Sequence, residues 1–268
     1  MGKTLPLVSI ITVCLNADKT IRRTIESVLA QTYDNLEYIL VDGFSTDGTM
    51  GIVSEYGDKI DVVISEKDSG ISDAFNKGVR CAKGEYIKFL NADDYLPADF
   101  IEKSVEILGQ HPSAAFIFGD MVMIDGNGKT TMQILGDADY GSWLHYLVPR
   151  VNHPTFLVRR SVYEKHGLFD PAWHYAMDYE WLLRVHQAGE IGLYAPNILI
   201  YAQEGGASSN WLKTMREQRS IIVRYSSTPV LAYLMSCCLT AKIALRVVLE
   251  NFLPRHCIML FRPGKSLK

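Results

Sequence analysis

An α/β fold with a mixed, mainly parallel sheet is predicted by three features of this 268-residue chain. Short β-branched runs alternate with helix-periodic segments through the first half. Polar and acidic residues collect where each run ends. The composition is that of a globular chain, 48% hydrophobic and 21% charged, which argues against disorder. Strands alternating with helices imply parallel strands covered by helices on both faces.

The elements follow in order. Leu7–Leu15, rich in β-branched residues, is the first strand. Thr20–Gln31 places Ile21, Ile25, Val28 and Leu29 on one helical face. Leu36–Val41 is a strand that ends at Asp42, and Thr49–Tyr56 is a short helix. Asp61–Ser65 is a strand, Ser72–Ala82 a helix, and Gly84 fits that helix's C-cap. Tyr86–Leu90 is a strand, Ala98–Gly109 a helix with Asp94 or Asp99 as a candidate cap, and Ala115–Phe118 a fifth strand.

The second half has a different texture. Met121–Ile124 and Thr131–Ile134 flank a turn at Gly126–Gly128 and read as a hairpin. YGSWLHYLV is helix-like. NHPTFLVRRSVYEKHGLFD gives a strand, a helix and a glycine turn. MDYEWLLRVHQAG is a helix from near Asp178 to Gly189, and IGLYAPNILIYA is a strand. No internal repeat or low-complexity segment is present. The domain expectation is a catalytic domain over 1–210, with a nucleotide-binding half to about 120 and an acceptor half over about 121–210. A helical tail over 211–268 follows it.

From Trp211 onward ten Lys or Arg stand against two acids, Glu217 and Glu250, so the tail carries +8. With a chain net charge of −3, the first 210 residues carry −11. Tyr225–Ala241 has no charge, but Pro229 interrupts it, and it falls short of the roughly 20 apolar residues of a spanning helix. Basic, apolar helices of this kind suit an anionic membrane surface. Core or dimer helices, and a true span, are the alternatives. The five cysteines (Cys14, Cys81, Cys237, Cys238 and Cys257) have no zinc-ligand spacing and read as reduced thiols. MGKTLPLVSIITV lacks the pattern of a signal peptide. The expected location is the cytoplasm, peripheral at the inner face of the membrane, with no nucleic-acid partner.

Ligands of open parallel sheets bind outside the carboxyl ends of the strands. Those ends here read LNAD (Leu15–Asp18), VDGFSTDGT (to Thr49), SEKDSGISDA (Ser65–Ala74) and NADD (Asn91–Asp94). Adjacent acids repel, and Asp93 and Asp94 at a strand tip are costly without a partner. Either they form an Asx turn or a divalent cation is the partner.

Three stretches carry a resemblance. VSIITVCLNADKTIRRTIESVLAQTYDNLEYILVDGFSTDGT, SEKDSGISDAFNKGVRCAKGEYIKFLNADD and MDYEWLLR together resemble the family 2 glycosyltransferases, inverting enzymes of GT-A fold, over roughly residues 6–210. The middle stretch is similar to the version found in bacterial O-antigen and exopolysaccharide transferases. Departures are Gly43 and Phe44 within the VDDGS pattern, Asn91 at the first acidic position of D-x-D, Met177 for a usual Glu, and Leu15 for a common aromatic.

The resemblance implies roles. Asn16, Asp42, Asp68, Asp73, Asn91 and Asp93 are the expected nucleotide-sugar residues, with Asp42 facing the nucleoside. Asp93 is the expected ligand of Mg²⁺ or Mn²⁺, which stabilises a departing diphosphate. Asp178 is the expected base, because inversion in one displacement needs a proton acceptor on the acceptor face. His153 lies on the acceptor side, and the loop holding Gly205, Gly206 and Ser208 closes over the donor. The implied reaction moves a sugar from a nucleotide diphosphate to a hydroxyl of a glycan, lipid-linked in the favoured form, in cell-surface polysaccharide synthesis. A sugar nucleotidyltransferase and a catalytically silent GT-A-like binding protein are the alternatives.

Overall fold

β1 (Val8–Cys14) is buried along its whole length at the centre of the first half of the sheet. The computed structural model describes residues 5–145, 148, 150–205, 211–238 and 241. β2 (Leu36–Asp42) and β4 (Tyr86–Asn91) flank β1, and β3 (Val62–Ser65) lies outside β2, all parallel. β7 (Leu157–Arg159) pairs antiparallel with both β4 and β5 (Ala114–Ile124). β6 (Thr130–Ile134) continues β7's edge of β5 as an antiparallel hairpin partner, and β8 (Ile191–Gln203) runs parallel along the other edge. Among the described residues this is one sheet of eight strands, mixed and mainly parallel in its first half, as expected.

Alternation along β1 sorts the core into two layers. Ile11 and Val13 enter the layer under α3 (Ile71–Cys81) and α7 (Met177–Gln187), with Phe75, Phe89 and Trp181. Val8 and Ile10 enter the layer under α1 (Ile21–Leu29) and α4 (Phe100–Gln110), with Ile25, Phe100 and Leu108. The remaining helices are α2 (Thr49–Ser54), α5 (Tyr140–Trp143), α6 (Arg160–His166) and α8 (Trp211–Tyr225). Residues 229–238 form a further helical stretch.

Two sequence expectations change and a third narrows. The fifth strand and the first arm of the hairpin are one strand, β5, because β8 pairs along its whole length with a bulge at Gly119. A Cβ on Gly119 would lie 1.9 Å from the Ile198 carbonyl oxygen, so only glycine lets β8 pass there. Gly84 does not cap α3, whose C-cap is Ala82. It marks a close crossing instead: its amide donates to Ser9 Oγ at 2.8 Å, and a Cβ would sit 2.5 Å from the Ser9 nitrogen. Of the two candidate caps of α4, Asp99 is the N-cap residue, but its carboxylate makes no cap bond and pairs with Lys103 at 2.6 Å instead, while Asp94 is buried before the helix.

The first helix of the basic tail is part of this packing. Ile221 and Ile222 of α8 are buried in the same layer as Trp181, with Ala232 from the following helical stretch. No helix among the described residues is long and apolar enough to cross a membrane. Most of the chain beyond 238, including Cys257, lies outside the described residues.

Candidate active site

Register sets the carboxyl ends of the first four strands in one row. Cys14 lies beside Asp42, Asp42 beside Ser65, and Val13 beside Asn91. Asp42 is fully buried. It accepts from Ser65 Oγ (2.7 Å), from the Ser45 amide (3.1 Å), from the Ser45 hydroxyl and from Cys14 Sγ (3.7 Å). Four donors fill the acceptor capacity of a carboxylate. The residue expected to face a nucleoside therefore spends its oxygens holding its own loop.

That loop is latched to the end of β1. Asn16 donates its amide to Ser45 Oγ (2.8 Å) and accepts from the Thr46 amide (2.9 Å). The Ala17 amide donates to Thr49 Oγ1 (2.7 Å). Asn16 and Phe44 are the two non-glycine residues with positive φ among those described, at 53° and 70°. Asn tolerates that region and a bulky ring does not.

Asp68 accepts from the Gly70 amide at 3.0 Å. Its other oxygen lies 2.6 Å from where a Cβ on Gly43 would be, so any larger residue at 43 would push this carboxylate aside. Asp73, in the first turn of α3, accepts from the Ser69 amide (3.0 Å) and pairs with Lys77 (3.7 Å). These contacts, the Ser69 amide foremost, hold its carboxyl below the usual range. Lys77 turns to Glu66 (3.0 Å) and the Lys67 carbonyl (3.0 Å).

The Asn91–Asp94 turn follows β4. Asp94 accepts from Asn91 Nδ2 (3.0 Å) and the Gln203 amide (3.2 Å). Burial and the adjacent Asp93 push its carboxyl up to about 7. Burial also raises Asp93, with the Arg23 guanidinium opposing it. Arg23 donates to the Asp93 carbonyl (3.0 Å) and to Gln203 Oε1 (2.9 Å) and lies 4.7 Å from the centre of the Tyr95 ring. No group of three or more His, Cys, Asp or Glu among the described residues is placed to hold a metal ion by itself. One raised, half-buried carboxylate at a strand tip fits a cation that takes its remaining ligands from phosphate and water.

Asp178, in the first turn of α7, lines a cavity of about 110 Å³ with His153, Tyr175, Thr214 and Gln218. Its Oδ1 accepts the Tyr179 amide at 2.8 Å, and burial raises its carboxyl. The cavity thus joins two residues expected on the acceptor side. His153 sits among Phe75, Phe89, Phe156 and Phe169. Burial, and then the Lys88 charge, lower its imidazole to about 3, so it is neutral. Ser72 links the two halves: its hydroxyl donates to the Trp173 carbonyl and to Met177 Sδ, each at 2.9 Å. That contact brings the Asp68–Asp73 loop to the residue preceding Asp178.

α7 is held from α8. The Glu217 carboxylate accepts three successive backbone amides ahead of α7: His174 (3.0 Å), Tyr175 (2.7 Å) and Ala176 (3.0 Å). Tyr225 of α8 donates to Glu180, which also takes Arg184 in two bonds (3.0 and 3.1 Å). Glu180, two residues beyond Asp178, is therefore a structural anchor. Sequence reasoning missed Arg23, Ser65, Ser72 and Glu217. Only Glu217 left a signal, as one of two acids in a basic tail. In the closing loop Gly205 is described, with φ 104°, whereas Gly206 and Ser208 lie outside the described residues.

Comparison with known proteins places this geometry. Residues 9–167 match the sequence model of glycosyl transferase family 2. An uncharacterised glycosyltransferase of Rickettsia typhi is 33% identical over 182 residues, which are 65% of this chain and 57% of that one. The chain thus spans little more than half the length of that relative. A putative teichuronic acid biosynthesis glycosyltransferase of Bacillus subtilis is 42% identical over 116 residues, 42% of this chain and 46% of that one. Among solved structures, a mannosyltransferase of Pyrobaculum calidifontis in complex with GDP-Man and Mn²⁺ superposes with a TM-score of 0.64. It is 17% identical, over 96% of this chain and 81% of its own, which is a likeness of fold.

Proposed function

The chain belongs to glycosyl transferase family 2, and from that premise we propose that it inverts an anomeric centre while moving a sugar from a nucleotide diphosphate to a hydroxyl of a cell-surface glycan. One observation carries the reading. Acids from four separate segments gather along one edge of the sheet, and Ser72 ties that edge to the helix of Asp178. The teichuronic acid biosynthesis named for the Bacillus subtilis relative supports a cell-surface polysaccharide as the product class.

In this reading the donor lies along the carboxyl ends of β1 to β4. Asp42 and Asn16 keep the loop that receives the nucleoside in shape, and Asp68 and Asp73 border the donor. Asp93 would hold Mg²⁺ or Mn²⁺, whose bound charge neutralises the departing diphosphate. The Mn²⁺ in the Pyrobaculum calidifontis complex supports a divalent ion for this fold. Asp178 accepts the proton of the attacking hydroxyl as the new glycosidic bond forms. Its raised carboxyl binds that proton more firmly than an exposed aspartate does. His153, neutral and caged by rings, offers the acceptor an apolar wall.

The catalytic unit is proposed to span 1–210 with α8 packed on it, and the residues beyond to hold the chain at the cytoplasmic face of a membrane, close to a lipid-linked acceptor. The support is an exposed apolar stripe. Val230, Leu231, Tyr233 and Leu234 are 48–75% exposed, and the Arg219 guanidinium lies 5.4 Å from the centre of the Tyr233 ring.

The testing experiment measures release of nucleoside diphosphate from a panel of nucleotide sugars with Mn²⁺, with and without lipid-linked acceptor. Release that requires acceptor is expected. Pyrophosphate exchange instead would make the protein a nucleotidyltransferase, and nucleotide binding with no turnover would make it a silent binding protein.

A further inference from the structure

We infer that Phe44, on the loop after β2, is the platform for the donor's nucleobase. The inference rests on the donor reading above and deepens it by naming the residue on which the base stacks.

The argument starts from backbone strain. Phe44 has φ 70°, a region that places Cβ against the neighbouring carbonyl and that bulky residues avoid. Strain of this kind persists only where the surroundings over-determine it. They do so here. Asp42 grips Ser45 through both its amide and its hydroxyl, and Asn16 takes the Thr46 amide at 2.9 Å. Phe44 therefore sits between a residue whose oxygens are filled and two that are latched.

The strain does not serve core packing. The Phe44 side chain is 63% exposed. Leu15, at the end of the neighbouring strand, is 59% exposed. The two stand on adjoining loops, since Cys14 pairs with Asp42 and the Gly43 amide donates to the Cys14 carbonyl at 2.9 Å. A Cβ on Gly43, between Asp42 and Phe44, would lie 2.6 Å from an Asp68 carboxylate oxygen and 3.5 Å from Leu15 Cδ1. A leucyl side chain and a carboxylate with one oxygen unspent thus meet at Gly43, and Phe44 is the next residue along the edge where parallel sheets bind ligands. A flat heterocycle with an N–H at its rim matches that set. Its face lies on Phe44 and its edge donates to Asp68.

The test uses the full chain with UDP, GDP, ADP and dTDP in the presence of Mn²⁺, and inorganic pyrophosphate with Mn²⁺ as a probe without a base. Binding is read by titration calorimetry and stability by thermal melts. Phe44→Gly relieves the strained φ, so its Tm is expected to rise by about 2 °C. The same variant is expected to bind the preferred diphosphate about five- to 150-fold more weakly, the range of base–aromatic stacking, with pyrophosphate affinity unchanged. Phe44→Leu keeps the strain and loses the ring, and is expected to lose affinity without gaining Tm. Phe44→Trp is expected to retain binding. Unchanged diphosphate affinity in Phe44→Gly overturns the inference and leaves the donor reading standing. A native chain that binds pyrophosphate but no nucleoside diphosphate overturns both.

Discussion

Asp178 is the residue on which the proposed chemistry turns, and its setting separates catalysis from helix capping. It lies inside the first turn of α7, where Ala176 is the N-cap and uses no side-chain cap bond. Asp178→Asn keeps shape and the Tyr179 contact. Its sugar transfer is expected to fall by about 10²–10⁴-fold, while Tm and diphosphate binding stay at the native values. Initial rates beside melts and titrations check this, and near-native transfer removes Asp178 from the role. His153 makes a second prediction, about acid. Its imidazole titrates near 3 in the fold against an ordinary value of 6.5. Between those values the unfolded chain binds a proton that the native chain does not, so stability falls as pH drops through that window. The slope is about 1.4 kcal/mol per pH unit from this group. Denaturant titrations at pH 6.5, 5.5 and 4.5 should show a shallower loss for His153→Phe, and identical slopes would contradict the burial argument. Both positions were singled out in the sequence by a short local pattern, and the structure sets them on one cavity. What Asp42 does was not legible in the sequence. A strand-end aspartate looks the same whether it meets a ligand or four donors of its own protein, and the donors come from Cys14, Ser45 and Ser65.

At the level of elements, the joint between α7 and α8 has the largest consequence. Glu217 alone accepts the amides of His174, Tyr175 and Ala176. Removing it in Glu217→Ala leaves partly buried amides without an acceptor, at a cost of ~1–3 kcal/mol. The expected result is a lower Tm and a lower kcat with little change in donor KM, because the proposed donor edge lies on other elements. Glu217→Gln restores an acceptor and should recover part of both. A loss of Tm with native kcat would make the joint purely structural. Strands and helices of the first half were readable to within about two residues, since each is a local run with one period. β5 was read as two pieces because Gly119 and Asp120 look like a break. They are in fact where β8 crosses, with the Ile198 carbonyl filling the space of a side chain, and no local pattern reports a strand that arrives from residue 191. Glu217 escaped for the same reason, as its partners lie some forty residues earlier on another element.

Taken whole, the molecule has an acidic body and a tail whose first helix is built into the core. The membrane proposal is therefore best tested by surface charge, because a chain ending at Asn210 would strip Ile221 and Ile222 from the interior. Leu231→Glu with Leu234→Glu alters side chains that are 51% and 55% exposed. The pair should leave Tm near native, sharply reduce co-sedimentation with anionic vesicles, and blunt its salt dependence. Undiminished co-sedimentation would end the proposal. The mixed sheet also bears on how the chain is made. β1, β2 and β4 find one another by Asn91, but the outer edge of β5 has no partner until β8 is synthesised, since Ala114 pairs with Ile191. At about 5–20 residues per second, that edge waits several seconds on the ribosome with its amides and carbonyls unpaired. Unpaired strand edges invite pairing with other chains, so the nascent protein is most vulnerable in the interval between its two halves, and the last part of β8 to emerge ends that exposure.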